Sequence, residues 1–93
     1  MDNGEFVGPG DAGAQADQAM KNITTLLEEA GGSINDVCRI TTYIAHRHHR
    51  DAVYQATGRH LKGVYPVGTG LIVGEFAKPN LLVEIDVEAE LQN

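Results

Sequence analysis

Residues 81–91, LLVEIDVEAEL, alternate closely between apolar and acidic side chains. Leu81, Val83, Ile85, Val87, Ala89 and Leu91 fall on one side of an extended chain. Leu82, Glu84, Asp86, Glu88 and Glu90 fall on the other. A repeat of two residues is the repeat of a β-strand, whose side chains point to opposite faces in turn. This strand therefore has one dry face and one acidic face. The dry face needs a cover, and the rest of the chain must supply it.

Two stretches can do so. From Asp11, Ala16, Ala19, Met20, Ile23, Leu26, Leu27 and Ala30 recur at steps of three and four, which predicts an amphipathic helix over roughly residues 11–30. Asp11 is its N-cap, and Gly31-Gly32 ends it, because glycine accepts the left-handed conformation of a helix C-terminus. Residues 49–61 predict a second helix with Ala52, Val53, Ala56 and Leu61 facing inward. Gly58 weakens it by about 1 kcal/mol relative to alanine, and Lys62-Gly63 closes it.

Between and after these helices lie two more strands. Residues 37–45, VCRITTYIA, are rich in β-branched side chains after a turn at Ser33-Ile34-Asn35-Asp36. Cys38, Ile40, Thr42 and Ile44 are expected on the helix-covered face, with Val37, Arg39, Thr41 and Tyr43 opposite. Residues 66–76, PVGTGLIVGEF, predict a strand in which Gly68, Gly70 and Gly74 mark a bulge or a close backbone approach. Lys78-Pro79-Asn80 is a turn, and residues 1–10 are a loop with a short extended piece at Phe6-Val7. The order helix, strand, helix, strand, strand gives an α+β two-layer sandwich, a sheet backed by two helices.

The 93 residues suffice for a single domain. A domain this short buries only about 60–65% of its unfolded surface, so an oligomer interface would widen its stability margin. Thirteen acids against seven bases leave a net charge of −6, which opposes binding to a phosphate backbone unless the bases cluster. Arg47, Arg50, Arg59 and Lys62 do cluster in part, close to the four histidines. Nucleic acid is therefore a poor partner for this chain. Cys38 has no second cysteine with which to pair. It is read as an inert buried thiol in a reducing compartment. No run approaches the roughly 20 apolar residues of a membrane span, and the first residues lack the pattern of a signal peptide. The expected location is the cytoplasm.

The chain carries Asp11, Gln15, Asn22, Ala30-Gly31, Asp36-Val37 and Thr41-Thr42 in that order, and it closes on LLVEIDVEAE. In order and spacing these resemble the RidA (YjgF) family over about residues 4–90. The resemblance implies the fold of the small chorismate mutases, a mixed sheet backed by two helices. It implies three copies around an axis, with clefts between neighbours. It implies hydrolysis of reactive enamines and imines to 2-keto acids and ammonia, with no metal or organic cofactor. In that family an arginine holds the substrate carboxylate, and a glutamate on the last strand stands near the attacking water.

Residue by residue, the glutamate corresponds to Glu84. The arginine position holds Gly68, after Pro66, and an asparagine of the second helix is replaced by Tyr54. Family members also begin with a strand pair of roughly 30–40 residues before the segment on which this chain starts, so that first hairpin is expected to be absent. On this resemblance the catalytic candidate is Glu84, a proton relay for water and the leaving amine. Gly68, Thr69, Gly70, Tyr54 and Arg39 are the substrate-binding candidates, for a small molecule bearing a carboxylate. Thr69 and Gly70 could offer a hydroxyl and backbone N–H groups. Arg39, beside Tyr43, reads more simply as half of an ion pair. Without the usual arginine, Arg47 or Arg50 could hold a carboxylate.

Two metal readings are set aside. Carboxylates two apart on a strand face, as in Glu84-Asp86-Glu88-Glu90, are about 7 Å apart and do not converge on one ion. His46-Arg47-His48-His49-Arg50 lacks the cysteine-rich, four-ligand pattern of structural zinc and reads as a solvated turn before a helix.

Overall fold

Asp11 starts the first helix. In the computed structural model, which describes residues 11–74 and 81–91, its carboxylate accepts a hydrogen bond from the Ala14 N–H at 3.0 Å. Helix α1 then runs Ala12–Glu29. It ends where Gly31 takes φ +90°. There the Gly32 N–H donates to the Leu27 carbonyl at 2.8 Å and the Gly31 N–H to Glu28 at 3.1 Å, so the last carbonyls of the helix are satisfied. Ser33 and Asp36 form a capping box around a single 3₁₀ turn, Ile34–Asp36, which delivers the chain into strand β1, Val37–Ile44.

A second 3₁₀ turn, Arg47–His49, leads into helix α2, Arg50–His60. Strands β2, Val67–Ile72, and β3, Val83–Ala89, follow. The sheet order is β2-β1-β3, with β2 parallel and β3 antiparallel to β1. The result is the expected α+β arrangement, a mixed three-stranded sheet with two helices. The expected loop over residues 1–10 and the turn at Lys78-Pro79-Asn80 lie outside the described residues, as does the end of the strand predicted over 66–76.

The pairing sorts the strands into two sets of rows. Gly68–Ile40–Val87, Gly70–Thr42–Ile85 and Ile72–Ile44–Val83 face the helices. Val67–Arg39–Glu88, Thr69–Thr41–Asp86 and Leu71–Tyr43–Glu84 form the open face. The alternation predicted for 81–91 holds over β3, with Val83 buried and Glu84, Asp86 and Glu88 exposed, but not at its ends, where Leu82 packs against the core and Leu91 is exposed. The core is Ala12, Ala16, Ile44, Val53, Ala56 and Val83, with Leu82 and Ile85 packed against it.

Three burial expectations need correction. Cys38 is exposed, and its thiol donates to the Glu88 carbonyl at 3.4 Å. The ladder shifts between Val37 and Arg39, so Cys38 is the extra residue of a bulge. A bulge resets the alternation of its strand, which is why Val37 as well as Ile40 is buried. Ala52 is exposed, and the inward face of α2 is instead Val53, Ala56 and Thr57. Leu26, expected on the inward face of α1, is 64% exposed.

Polar contacts fix the layers against one another. The buried Gln15 side-chain oxygen accepts from the Leu82 N–H at 2.8 Å, tying α1 to the entry of β3. Gln15→Leu keeps the volume but leaves that N–H without its acceptor, and should cost about 1–3 kcal/mol in a denaturant titration. On the outer side, Asp17 of α1 meets His60 of α2 at 2.7 Å and its own neighbour Lys21 at 3.2 Å. The hydrogen bond from His60, followed by that from Lys21, holds the Asp17 carboxyl below its usual range despite some burial. Gly58 offers the opposite opportunity. A Cβ there meets nothing within 4 Å and φ is not positive. Gly58→Ala is therefore expected to stabilise by about 1 kcal/mol and to raise Tm by roughly 4–8 °C in a thermal melt.

Candidate functional site

Glycine in β2 creates the concave region of this fold. Gly68 and Gly70 lie on the helix-facing rows, where larger side chains would fill the space below α2. Tyr54, on α2, uses the space over Gly70. A Cβ at Gly70 would collide with the Tyr54 hydroxyl and lie 3.1 Å from its Cζ. Tyr54 thus settles against the strand and separates two hollows. The larger, about 470 Å³, is lined by Arg47, Arg50, Asp51, Tyr54, Gly70 and Ile72. The smaller, about 290 Å³, lies among Ile40, Thr42, Thr57, Leu61 and the Gly68-Thr69-Gly70 backbone, with Tyr54 again as a wall.

The larger hollow is cationic. The Arg50 guanidinium lies over the Tyr54 ring, 4.9 Å from its centroid, a cation–π contact that orients both groups. Among the described residues neither Arg47 nor Arg50 has an acidic partner within ion-pair distance. Asp51 on the rim is the one acid of the lining. Beside the hollow the rings of His46, His48 and His49 gather, with centroids 4.0 to 5.9 Å apart. Burial lowers the His49 pKa, and the nearby His48 and His46 lower it further. His46 and His48 are stacked, with 13° between their planes, and His49 is tilted against both. Among the described residues no cluster of histidine, cysteine or carboxylate side chains is arranged to hold a metal ion.

Glu84 is elsewhere. It lies across β1 from Leu71, on the open-face row Leu71–Tyr43–Glu84. At about 4.8 Å per strand, its Cα is roughly 10 Å from that of Leu71. It is exposed and has no hydrogen bond or ion pair with the described residues. Arg39 occupies the same face and pairs with Glu88 of its own chain, Nε to Oε1 3.6 Å. Within the chain, Arg39 is thus half of an ion pair, as its place beside Tyr43 suggests. Of the candidates from sequence, then, Gly68, Thr69, Gly70 and Tyr54 come together at the hollows. Glu84 and Arg39 lie on the other side of the sheet. Asp51, Ile72, Thr42 and Thr57 were not foreseen in the lining, because their place depends on the parallel pairing of β2 with β1.

Residues 1–91 match the family model described as endoribonuclease L-PSP. The chain belongs to the Rid/YjgF (endoribonuclease L-PSP) family. A Rid family protein of unknown function from Yersinia pestis is 33% identical, with a TM-score of 0.87 over 98% of this chain and 71% of that one. A protein of unknown function from Pseudomonas aeruginosa is 34% identical, with a TM-score of 0.82 over 87% of this chain and 58% of that one. A RutC family protein of Pyrococcus abyssi is 44% identical over 43 residues, 46% of this chain. The chain thus spans 58% of the Pseudomonas protein, and its match covers 33% of the RutC relative. No helix among the described residues of this Rid-family chain is long and apolar enough to cross a membrane.

Proposed function

We propose that this chain acts as a single Rid-type domain that hydrolyses small enamines or imines to keto acids and ammonia, in the cytoplasm, as a trimer with clefts between its copies. One observation supports this reading above the others. Glu84, the position of the family's glutamate, is a carboxylate with no partner among the described residues, on an open sheet face, and an open cationic hollow lies at the sheet's β2 edge. Within one chain the two lie on opposite sides of the sheet. A second copy whose open face lies across β2 would bring them together.

The reaction needs little else. Water adds to the imine carbon, and a carboxylate takes its proton and passes it to nitrogen. The same carboxylate then takes the proton of the carbinolamine hydroxyl and delivers it to the amino nitrogen, the C–N bond breaks, ammonia leaves and the ketone remains. Atoms and electrons balance without an oxidant or a metal. The test is ammonia release from 2-iminopropionate generated in situ, with wild type beside Glu84→Ala. Acceleration that disappears in the variant supports deaminase chemistry.

Gly68 favours a second reading. It leaves no side chain where the family's carboxylate-binding arginine stands, as in a trimer that binds a metabolite without turning it over. Stabilisation by keto acids with no ammonia release in either protein would favour that reading. Ribonuclease activity is the weakest of the three. The net charge is −6, and the open face carries Glu84, Asp86 and Glu88 towards any phosphate backbone that approaches.

A further inference from the structure

We infer that the hollow between α2 and β2 is a carboxylate-binding site in which Arg47 and Arg50 are the anchors and Tyr54 is the stop that limits ligand length. This deepens the proposed function, since it names the part of the substrate that the cleft recognises. It rests on that reading only for the identity of the ligand as a substrate.

The first support is charge without a partner. Four ion pairs join described residues, and none involves Arg47 or Arg50, although Arg39, Arg59 and Lys21 all have acidic partners. Of the bases among the described residues, Arg47, Arg50 and Lys62 have no acidic partner, and of these Arg47 and Arg50 line the same hollow. They face one open hollow of about 470 Å³ whose lining holds a single acid, Asp51. The lining therefore carries a net charge of +1, from two arginines and one aspartate. A guanidinium is a planar fork of donors that matches a carboxylate.

The second support is shape. Arg50 is held over the Tyr54 ring rather than left free, so less side-chain freedom is lost when it binds an anion. Tyr54 rests on Gly70, and Ile72 supplies an apolar wall on the same strand. The floor is thus flat and mostly apolar, with cations at the α2 end. It suits a small planar acid lying along β2 with its carboxylate towards Arg47 and Arg50. Tyr54 closes the way to the second hollow, so a longer acid cannot extend into the space among Thr42, Thr57 and Leu61.

The test uses pyruvate, which has this chemistry and is not consumed by the proposed reaction. Binding to the full chain is measured by calorimetry, with methyl pyruvate as the uncharged control. The expected result is binding of pyruvate but not of its ester. Arg50→Gln and Arg47→Gln should each weaken it at least about tenfold, the scale of one charge-assisted contact. Arg59→Gln removes a charge from the same helix on the Asp17 side and should leave binding unchanged, which excludes a general charge effect. Equal affinity in the Arg47 and Arg50 variants, binding of the ester, or no binding by wild type would each overturn the inference. If arginine-dependent binding persists while wild type releases no ammonia from 2-iminopropionate, the carboxylate site stands and the deaminase reading falls.

Discussion

A Glu84→Gln variant is expected to release ammonia from 2-iminopropionate at least about 100-fold more slowly than wild type, the usual range for loss of a general acid–base group. Glutamine keeps the size and reach of the side chain but can neither take a proton from water nor return one to the amine. Because Glu84 is exposed and has no partner among the described residues, its replacement breaks no structural contact there. Stability should therefore stay within about 0.5 kcal/mol of wild type, and a thermal melt separates a chemical defect from an unfolded sample. Glu88→Gln is the matched control. It lies on the same strand face and pairs with Arg39, so it removes one negative charge from the same surface. If both variants lost activity equally, the open face would act through its summed charge, and no proton relay could be assigned to Glu84.

How visible Glu84 is in the sequence shows where such reasoning stops. Alternation alone makes Glu84, Asp86 and Glu88 equivalent, three exposed acids on one face. The family pattern selects Glu84, and the register adds that it stands on the Tyr43 row, whereas Glu88 is engaged by Arg39. The strand faces themselves were legible, since one dry face against helices imposes a strict period of two on β3. The start of β1 was not. The bulge at Cys38 depends on a partner strand 50 residues away, and no local property of Val37-Cys38-Arg39 announces it. The hollow was legible only in part. The glycines of β2 pointed to close approach, and Arg47 and Arg50 stood out as bases. That Tyr54 fills the space over Gly70 follows from the parallel pairing of β1 and β2, a tertiary fact with no sequence period.

The same dependence on tertiary packing governs the largest stability effect expected here. Ile44 is fully buried, at the centre of the row Ile72–Ile44–Val83, and packs into a core that contains Ala12, Ala16, Val53 and Ala56. Ile44→Ala should destabilise the chain by about 2–5 kcal/mol, and the upper part of that range is expected. The cost of a cavity falls when neighbours can move into it. Here three of those neighbours are alanines on the faces of α1 and α2, whose Cβ atoms move only with their helices. The strand cannot shift either, because the Ala45 N–H donates to the Leu82 carbonyl at 2.9 Å and the Val73 N–H donates to the Ile44 carbonyl at 2.9 Å. Ile44→Val removes one methyl group and should cost only about 0.5–1.5 kcal/mol. A domain of this size holds roughly 5–14 kcal/mol in all, so the alanine variant would forfeit a large share of it. Urea titrations of the three proteins at one fixed protein concentration would measure this, the fixed concentration keeping any contribution from assembly constant. An Ile44→Ala loss below that of Ile44→Val would mean that the core collapses freely around position 44, contrary to the packing described.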